Sequence, residues 1–186
     1  VATLDADERT RRRGIDRLGD AGIPVSVGIR EWEARRAMAG FLCRLENSRP
    51  FVTLKLAMSL DGCIALADGA SQWITGERAR AHGHLERARS DAILVGAGTA
   101  RTDRPGLDVR LDGLADRSPQ PVVLGNDKDR PEHWLQIDEP EAIAGLADIN
   151  WLLVEGGATT AASFLQAGLV DRLLLYRAPI LIGGGL

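Results

Sequence analysis

The chain has 186 residues, 45% of them hydrophobic, and a net charge of −3, which allows one domain, or a domain with part of a second, around a sizeable core and argues against general affinity for nucleic acid or membranes. Cys43 and Cys63 lie far apart and form no CxxC pair, which argues against a disulfide scaffold or a thiolate zinc site and fits a reducing compartment. No apolar run is long enough to span a bilayer, and the first residues lack a signal peptide's hydrophobic region, so a soluble cytoplasmic protein is expected.

In chain order, residues 7–21 read as a helix stopped at Gly22, and Ile23 to Val27 as a short strand. Glu31 to Glu46 reads as one helix with Trp32, Met38, Leu42 and Leu45 on a shared face. Asn47, Ser48 and Pro50 break it, and a domain boundary is expected here, between 1–48 and 49–186. Phe51 to Met58 alternates like a strand, with Lys55 interrupting its polar face, and Asp61-Gly62 is a hairpin-turn dipeptide. Thr75 is placed to cap a helix from Gly76 to Ser90. "DAILVGAGT" is a buried strand ending in a glycine turn, and "RTDRPGLDVR" an irregular loop. Pro121 to Leu124 and Trp134 to Ile137 are strands, and Pro140 to Ala147 is helical. Asn150 to Glu155 is a strand, Thr159 to Ala167 a helix stopped at Gly168, and Leu173 to Tyr176 a last strand. The alternation predicts an α/β fold with a mainly parallel sheet flanked by helices.

Two strands end in glycine turns that lead into helices, "ILVGAGTA" and "LLVEGGATTAA". Bare backbone at a helix start can receive an anion, because N–H groups there are unpaired and no Cβ intervenes. Two such turns on one sheet edge point to a dinucleotide, although neither matches GxGxxG or the P-loop.

At "RPFVTLKLAMSLDGCIA" and "GASQWITGERAR", continued by "SDAILVGAGTARTDRPGLDVR" and "LLVEGGATTAASFLQAGLVDRLLLYRAPILIGG", the chain resembles the reductase domain of the bacterial riboflavin-biosynthesis deaminase/reductase family. The resemblance implies a dihydrofolate-reductase-like fold, a mixed, mainly parallel sheet with its last strands missing from this chain. It also implies NADPH as cofactor, a phosphorylated pyrimidine substrate, 5-amino-6-(5-phosphoribosylamino)uracil, whose ribosyl group is reduced to a ribityl chain, and a homodimer. Residues 1–48 are similar to the closing segment of the family's deaminase domain. Neither the HxE nor the PCxxC motif of a zinc deaminase is read in the chain, so no deaminase activity and no metal site are expected, and the histidines read as solvated or packed.

Residue roles follow from the same resemblance. Lys55, Asp103 and Glu155 are the expected catalytic residues. The substrate-binding positions are Lys55, Ser71, Arg87, Leu107, Arg110 and Glu155, with the two arginines suited to a 5-phosphate. The cofactor-binding positions are Met58, Trp73, Thr99, Asp103, Asn126, Gly156, Gly157, Ala158, Thr159 and Thr160. Many relatives carry Asp-Ser after the middle "VVL" strand, where this chain has Gly125 and Asn126, so preference for NADPH over NADH is weakened. Two other readings stand beside this one. One is a dihydrofolate-reductase-like enzyme acting on another heterocycle, against which no acidic pterin anchor is found. The other is a catalytically silent nucleotide-binding module, against which Lys55, Asp103 and Glu155 are all in place.

Overall fold

A computed structural model describes residues 1–7, 9–67 and 75–185. Three short helices come first: α1 (Arg13–Asp20), α2 (Glu31–Ala37) and α3 (Ala39–Asn47). Then follow β1 (Phe51–Met58), α4 (Glu77–Ala88), β2 (Ala92–Gly96), α5 (Ala97–Asp103), β3 (Gln120–Leu124), β4 (Leu135–Ile137), β5 (Trp151–Val154), α6 (Ala158–Gln166) and β6 (Arg172–Arg177). The six strands form one sheet in the order β4-β3-β2-β5-β1-β6, and every pair is parallel. Parallel strands bury both faces, which is why β2 and β5 are apolar runs and not alternating ones.

Side chains alternate across the sheet and build a core on each face. On one face Val52, Leu54, Leu94, Val122, Leu152 and Val154 meet Phe164 and Ala161 of α6 and Ile143 of a 3-10 turn, Pro140–Gly145. On the other, Ile93, Val95, Val123 and Leu153 meet Ala100 of α5, Leu107 and Trp134. Lys55 lies on this second face, because Val52 and Leu54 of β1 turn to the first.

Several elements differ from the sequence reading. The first helix is confined to α1, and Gly22 (φ 73) ends it with Ile23 N–H on Leu18 O. Residues 23–27 form no strand; Ile23 and Val27 are about half exposed and no sheet edge reaches them. The helix expected over Glu31–Glu46 is broken at Met38 (φ −104, ψ 12). The break seats Gly40 against Trp151, where an added Cβ would lie 2.5 Å from the indole Nε1. Of the four residues expected on one face, Leu42 alone is buried. Gly76, not Thr75, is the N-cap of α4, and Thr75 uses its carbonyl to accept from Arg80. Residues 97–103 are helical, so the loop begins at Arg104. Pro140–Gly145 winds as a 3-10 turn, not an α-helix. The Asp61-Gly62 turn forms (Gly62 φ 89) but returns no antiparallel strand. Its carboxylate instead accepts from the Ser59 hydroxyl and from the N–H groups of Gly183 and Ile182, which in that order hold the Asp61 pKa down to about 2.

Segment 39–49 is tied to the sheet. Arg44 donates to the carbonyls of Leu146 and Ile149. Arg49 pairs with Asp171 at 2.6 Å, and Asp171 also accepts the Val52 N–H.

Candidate functional site

The parallel register decides what meets at the carboxyl edge of the sheet. Leu54 pairs with Val154, so Lys55 and Glu155 follow side by side, and Lys55 Nζ lies 3.6 Å from Glu155 Oε2. From α4, Arg87 grips the same carboxylate with both prongs, Nε to Oε1 at 2.8 Å and Nη2 to Oε2 at 3.0 Å. Its remaining nitrogen donates to Asp108 O. Glu155 and Arg87 side chains are only 12% and 15% exposed. Burial works to raise the Glu155 carboxyl, but the Arg87 fork and the Lys55 ammonium outweigh it and hold the group below its ordinary range.

These side chains line a cavity of about 750 Å³. Arg80, His84 and Arg87 reach it from one stripe of α4, at i, i+4 and i+7. His84 Nδ1 accepts the Arg110 N–H at 3.2 Å; burial first, then Arg87 and Arg110, lowers its pKa, favouring the neutral ring. Arg110 stands at the mouth, its side chain two-thirds exposed. Asp103 at the end of α5 and Leu107, held at φ 54, complete that wall. Tyr176 of β6 closes the opposite side, with Lys55 Nζ 5.7 Å from its ring centroid and its hydroxyl 2.7 Å from His82 Nδ1.

The two glycine turns lie next to each other on the same edge, with Thr99 Oγ1 3.9 Å from where a Cβ on Gly157 would stand. Gly96 and Gly156 have a structural reason: a Cβ at either would come within 2.4 Å of Thr160, which seats α6 on the sheet. Gly98 faces open space. Gly98, Thr99, Gly157, Ala158 and Thr159 line both the main cavity and a second one of about 500 Å³ that runs on toward Leu124 and Pro140. The N-cap of α6, Gly157, makes no side-chain capping bond, so the helix's first N–H groups have no intrahelical partner. An uncapped helix start between two communicating cavities fits an extended ligand with a diphosphate at its middle.

Of the sequence-derived site residues, Lys55, Arg87, Thr99, Asp103, Leu107, Arg110, Glu155, Gly156, Gly157, Ala158 and Thr159 line the main cavity, and Thr160 lines the second. Arg87 binds Glu155 with the prongs expected for a phosphate. Met58 is not in the cavity wall; its carbonyl accepts the Ala178 N–H, and Ala57 lines the wall instead. Asn126 is exposed outside both cavities, its carbonyl accepting from Arg101. Ser71 and Trp73 lie outside the described residues. Sequence reasoning missed Tyr176, His82, Arg80 and His84. Arg80 and His84 carry a signal, the helical spacing to Arg87, whereas the placing of Tyr176, and with it His82, needs the pairing of Tyr176 with Ala57.

Among the described residues, no three His, Cys, Asp or Glu side chains come together to hold a metal ion. His84-Leu85-Glu86 does spell His-x-Glu, yet Glu86 pairs with Arg89 and Arg172. Among them too, no helix is long and apolar enough to cross a membrane.

The sequence profile of the RibD C-terminal domain matches residues 50–186. The riboflavin biosynthesis protein RibD of Mycobacterium tuberculosis is 43% identical over 185 aligned residues, covering 92% of this chain and 55% of that protein. RibD of Escherichia coli is 34% identical over 98% of this chain and 63% of its own length. A crystal structure of a Thermotoga maritima diaminohydroxyphosphoribosylaminopyrimidine deaminase/5-amino-6-(5-phosphoribosylamino)uracil reductase superposes with a TM-score of 0.88 at 29% identity, over all of this chain and 60% of that one. The chain thus spans a little over half the length of these relatives. The Saccharomyces cerevisiae riboflavin biosynthesis reductase Rib7 shares the fold at a TM-score of 0.58 and 20% identity, over 83% of this chain and 86% of that one.

Proposed function

Because this chain belongs to the RibD C-terminal domain family, we propose that it reduces 5-amino-6-(5-phosphoribosylamino)uracil to 5-amino-6-(5-phosphoribitylamino)uracil in riboflavin biosynthesis, with NADPH as hydride donor. The observation that carries the reading is the continuity of the buried Lys55–Glu155–Arg87 cluster with the bare glycine turns in one cavity.

When bound, the reduced nicotinamide supplies a hydride to the sugar carbon. Gly98, Thr99, Gly157, Ala158 and Thr159 hold the diphosphate, with the start of α6 aimed at it. The ionised Glu155 accepts hydrogen bonds from the N–H donors of the pyrimidine. Arg87 fixes the direction and charge of Glu155 and so acts as a positioning residue. Lys55 donates to a carbonyl or a developing alkoxide on the sugar. Arg110 at the mouth takes the 5-phosphate. Asp103 borders the cofactor end of the cavity and orients the substrate there. Met58, Ser71, Trp73 and Asn126 remain in this reading as contacts inferred from family position. Arg101, hydrogen-bonded to the Asn126 carbonyl at 3.0 Å, brings a cation to the end of β3, which supports NADPH through its 2′-phosphate.

We read residues 1–48 as the closing segment of a deaminase domain and 49–186 as the reductase. The alignments with the bifunctional relatives support this, since they extend well ahead of residue 50. We further propose a cytoplasmic homodimer without nucleic-acid partners.

The test is oxidation of NADPH by the purified chain with the phosphoribosylaminouracil and, separately, with dihydrofolate. Turnover with the first alone is expected. Turnover with dihydrofolate alone would place the chain among reductases of another heterocycle, and cofactor binding without turnover on either would make it a silent nucleotide-binding module.

A further inference from the structure

Reduction of the ribosyl group requires a proton as well as a hydride, and the wall opposite Glu155 carries a proton-transfer pair outside the roles assigned so far. Tyr176 lines the cavity on the same side of β1 as Lys55, and its hydroxyl lies 2.7 Å from His82 Nδ1. The His82 side chain is 46% exposed, so the ring borders solvent, and its far nitrogen lies 3.9 Å from Glu86 Oε1. The rings meet edge to face at 5.9 Å, which fixes the pair.

Resting on the reading above, we propose that Tyr176 is the acid that protonates the sugar and that His82 returns its proton from solvent. As the C1′–O4′ bond breaks, its electron pair stays on O4′, which takes the Tyr176 hydroxyl proton. The N6 lone pair forms C1′=N. The hydride then makes the new C1′–H bond, and the C=N electron pair goes back to nitrogen. The phenolate takes the proton from His82 Nδ1, and His82 takes one from water. One hydride and one proton are added, which balances ribosyl against ribityl.

Lys55, which hydrogen-bonds the developing charge, is the competing proton source, and its surroundings argue against its giving the proton up. Its ammonium faces the ionised Glu155, where it is needed as countercharge, and among the described residues it has no hydrogen-bonded partner open to solvent. Tyr176 has such a group in His82. The charges that face Tyr176 are Lys55 from β1, His82 and Glu86 from α4, Glu155 after β5, and Arg172 from β6. Burial, then Glu86 and Glu155, raises the phenol's pKa, which keeps its proton on at neutral pH.

The test compares the unsubstituted chain with Tyr176→Phe and His82→Ala, using NADPH and the phosphoribosylaminouracil. Tyr176→Phe is expected to lower kcat about 100-fold, the low end for a general acid, while NADPH affinity stays within about twofold. His82→Ala is expected to lower kcat less and to regain rate on addition of imidazole, a rescue that a packing role would not give. Because the chain has one tyrosine, phenolate absorbance reads Tyr176 alone, and saturating ribityl product is expected to shift that titration. A kcat for Tyr176→Phe within about twofold of the unsubstituted chain, a His82→Ala rate indifferent to imidazole, or a phenol titration blind to product would overturn the proposal. If the unsubstituted chain itself fails to oxidise NADPH with this substrate, the functional reading fails first, which separates the two.

Discussion

Replacing Arg87 with methionine removes the guanidinium fork while keeping most of the apolar stem. Glu155, a side chain 12% exposed, would then be left with Lys55, 3.6 Å away, as its countercharge. Removing one partner of a fully buried ion pair costs about 3–5 kcal/mol. Residual exposure and the remaining lysine bring the expectation down to about 2–3 kcal/mol, a fall in Tm of about 4–12 °C for a chain of this size. The effect depends on pH with a definite sign. The folded Glu155 carboxyl lies below its ordinary value of 4.5, so its contribution is present above that pH and is lost as pH falls through the folded value. The gap in Tm between Arg87→Met and the unsubstituted chain should therefore be widest at neutral pH and should narrow below pH 4.5. Thermal unfolding followed by circular dichroism at both pH values, with the Arg87→Met/Glu155→Gln double variant beside the single one, measures this. The double variant should be the more stable of the two, because the stranded charge is gone. Equal Tm values for Arg87→Met and the unsubstituted chain at neutral pH, or a deficit as large in acid as at neutrality, would refute the reasoning.

Two further outcomes follow from the same geometry. Lys55→Ala should lower turnover strongly while leaving NADPH affinity nearly intact, since the lysine stands beside Glu155 and not on the glycine turns; steady-state kinetics with a separate cofactor titration would show otherwise if affinity fell in step with rate. The glycines should separate by role. Gly156→Ala drives a methyl to 2.4 Å from Thr160 Cβ and should cost about 1–3 kcal/mol as overpacking, read as a lower Tm. Gly98→Ala meets nothing within 4 Å and should preserve Tm yet weaken NADPH binding by fluorescence titration, because the methyl enters the shared wall of the two cavities. Undiminished affinity in Gly98→Ala would remove that turn from the diphosphate site.

Local rules made much of this chain legible. The apolar runs at β2 and β5 announce strands buried on both faces, and the glycines at 22 and 168 end helices at positive φ as a residue without Cβ can. The Glu-Gly-Gly junction at 155–157 was readable as an acid next to an anion cradle because strand, turn and helix are contiguous. The break at Met38 was not readable, because its cause is Trp151, which packs on Gly40 from a distant strand. Residues 23–27 look like a strand by pattern but find no sheet edge. Arg87 on α4 was visible as a cation, but its partner was not. Only the turn of α4 toward the end of β5 shows that it holds a carboxylate with the prongs assigned to a phosphate. Tyr176 was invisible for the same reason: the strand order β5-β1-β6 sets it beside Lys55. Local backbone preference and hydrophobic pattern are properties of neighbours in sequence and so can be read along the chain. Pairings between elements depend on strand order and register, which the packed sheet alone fixes.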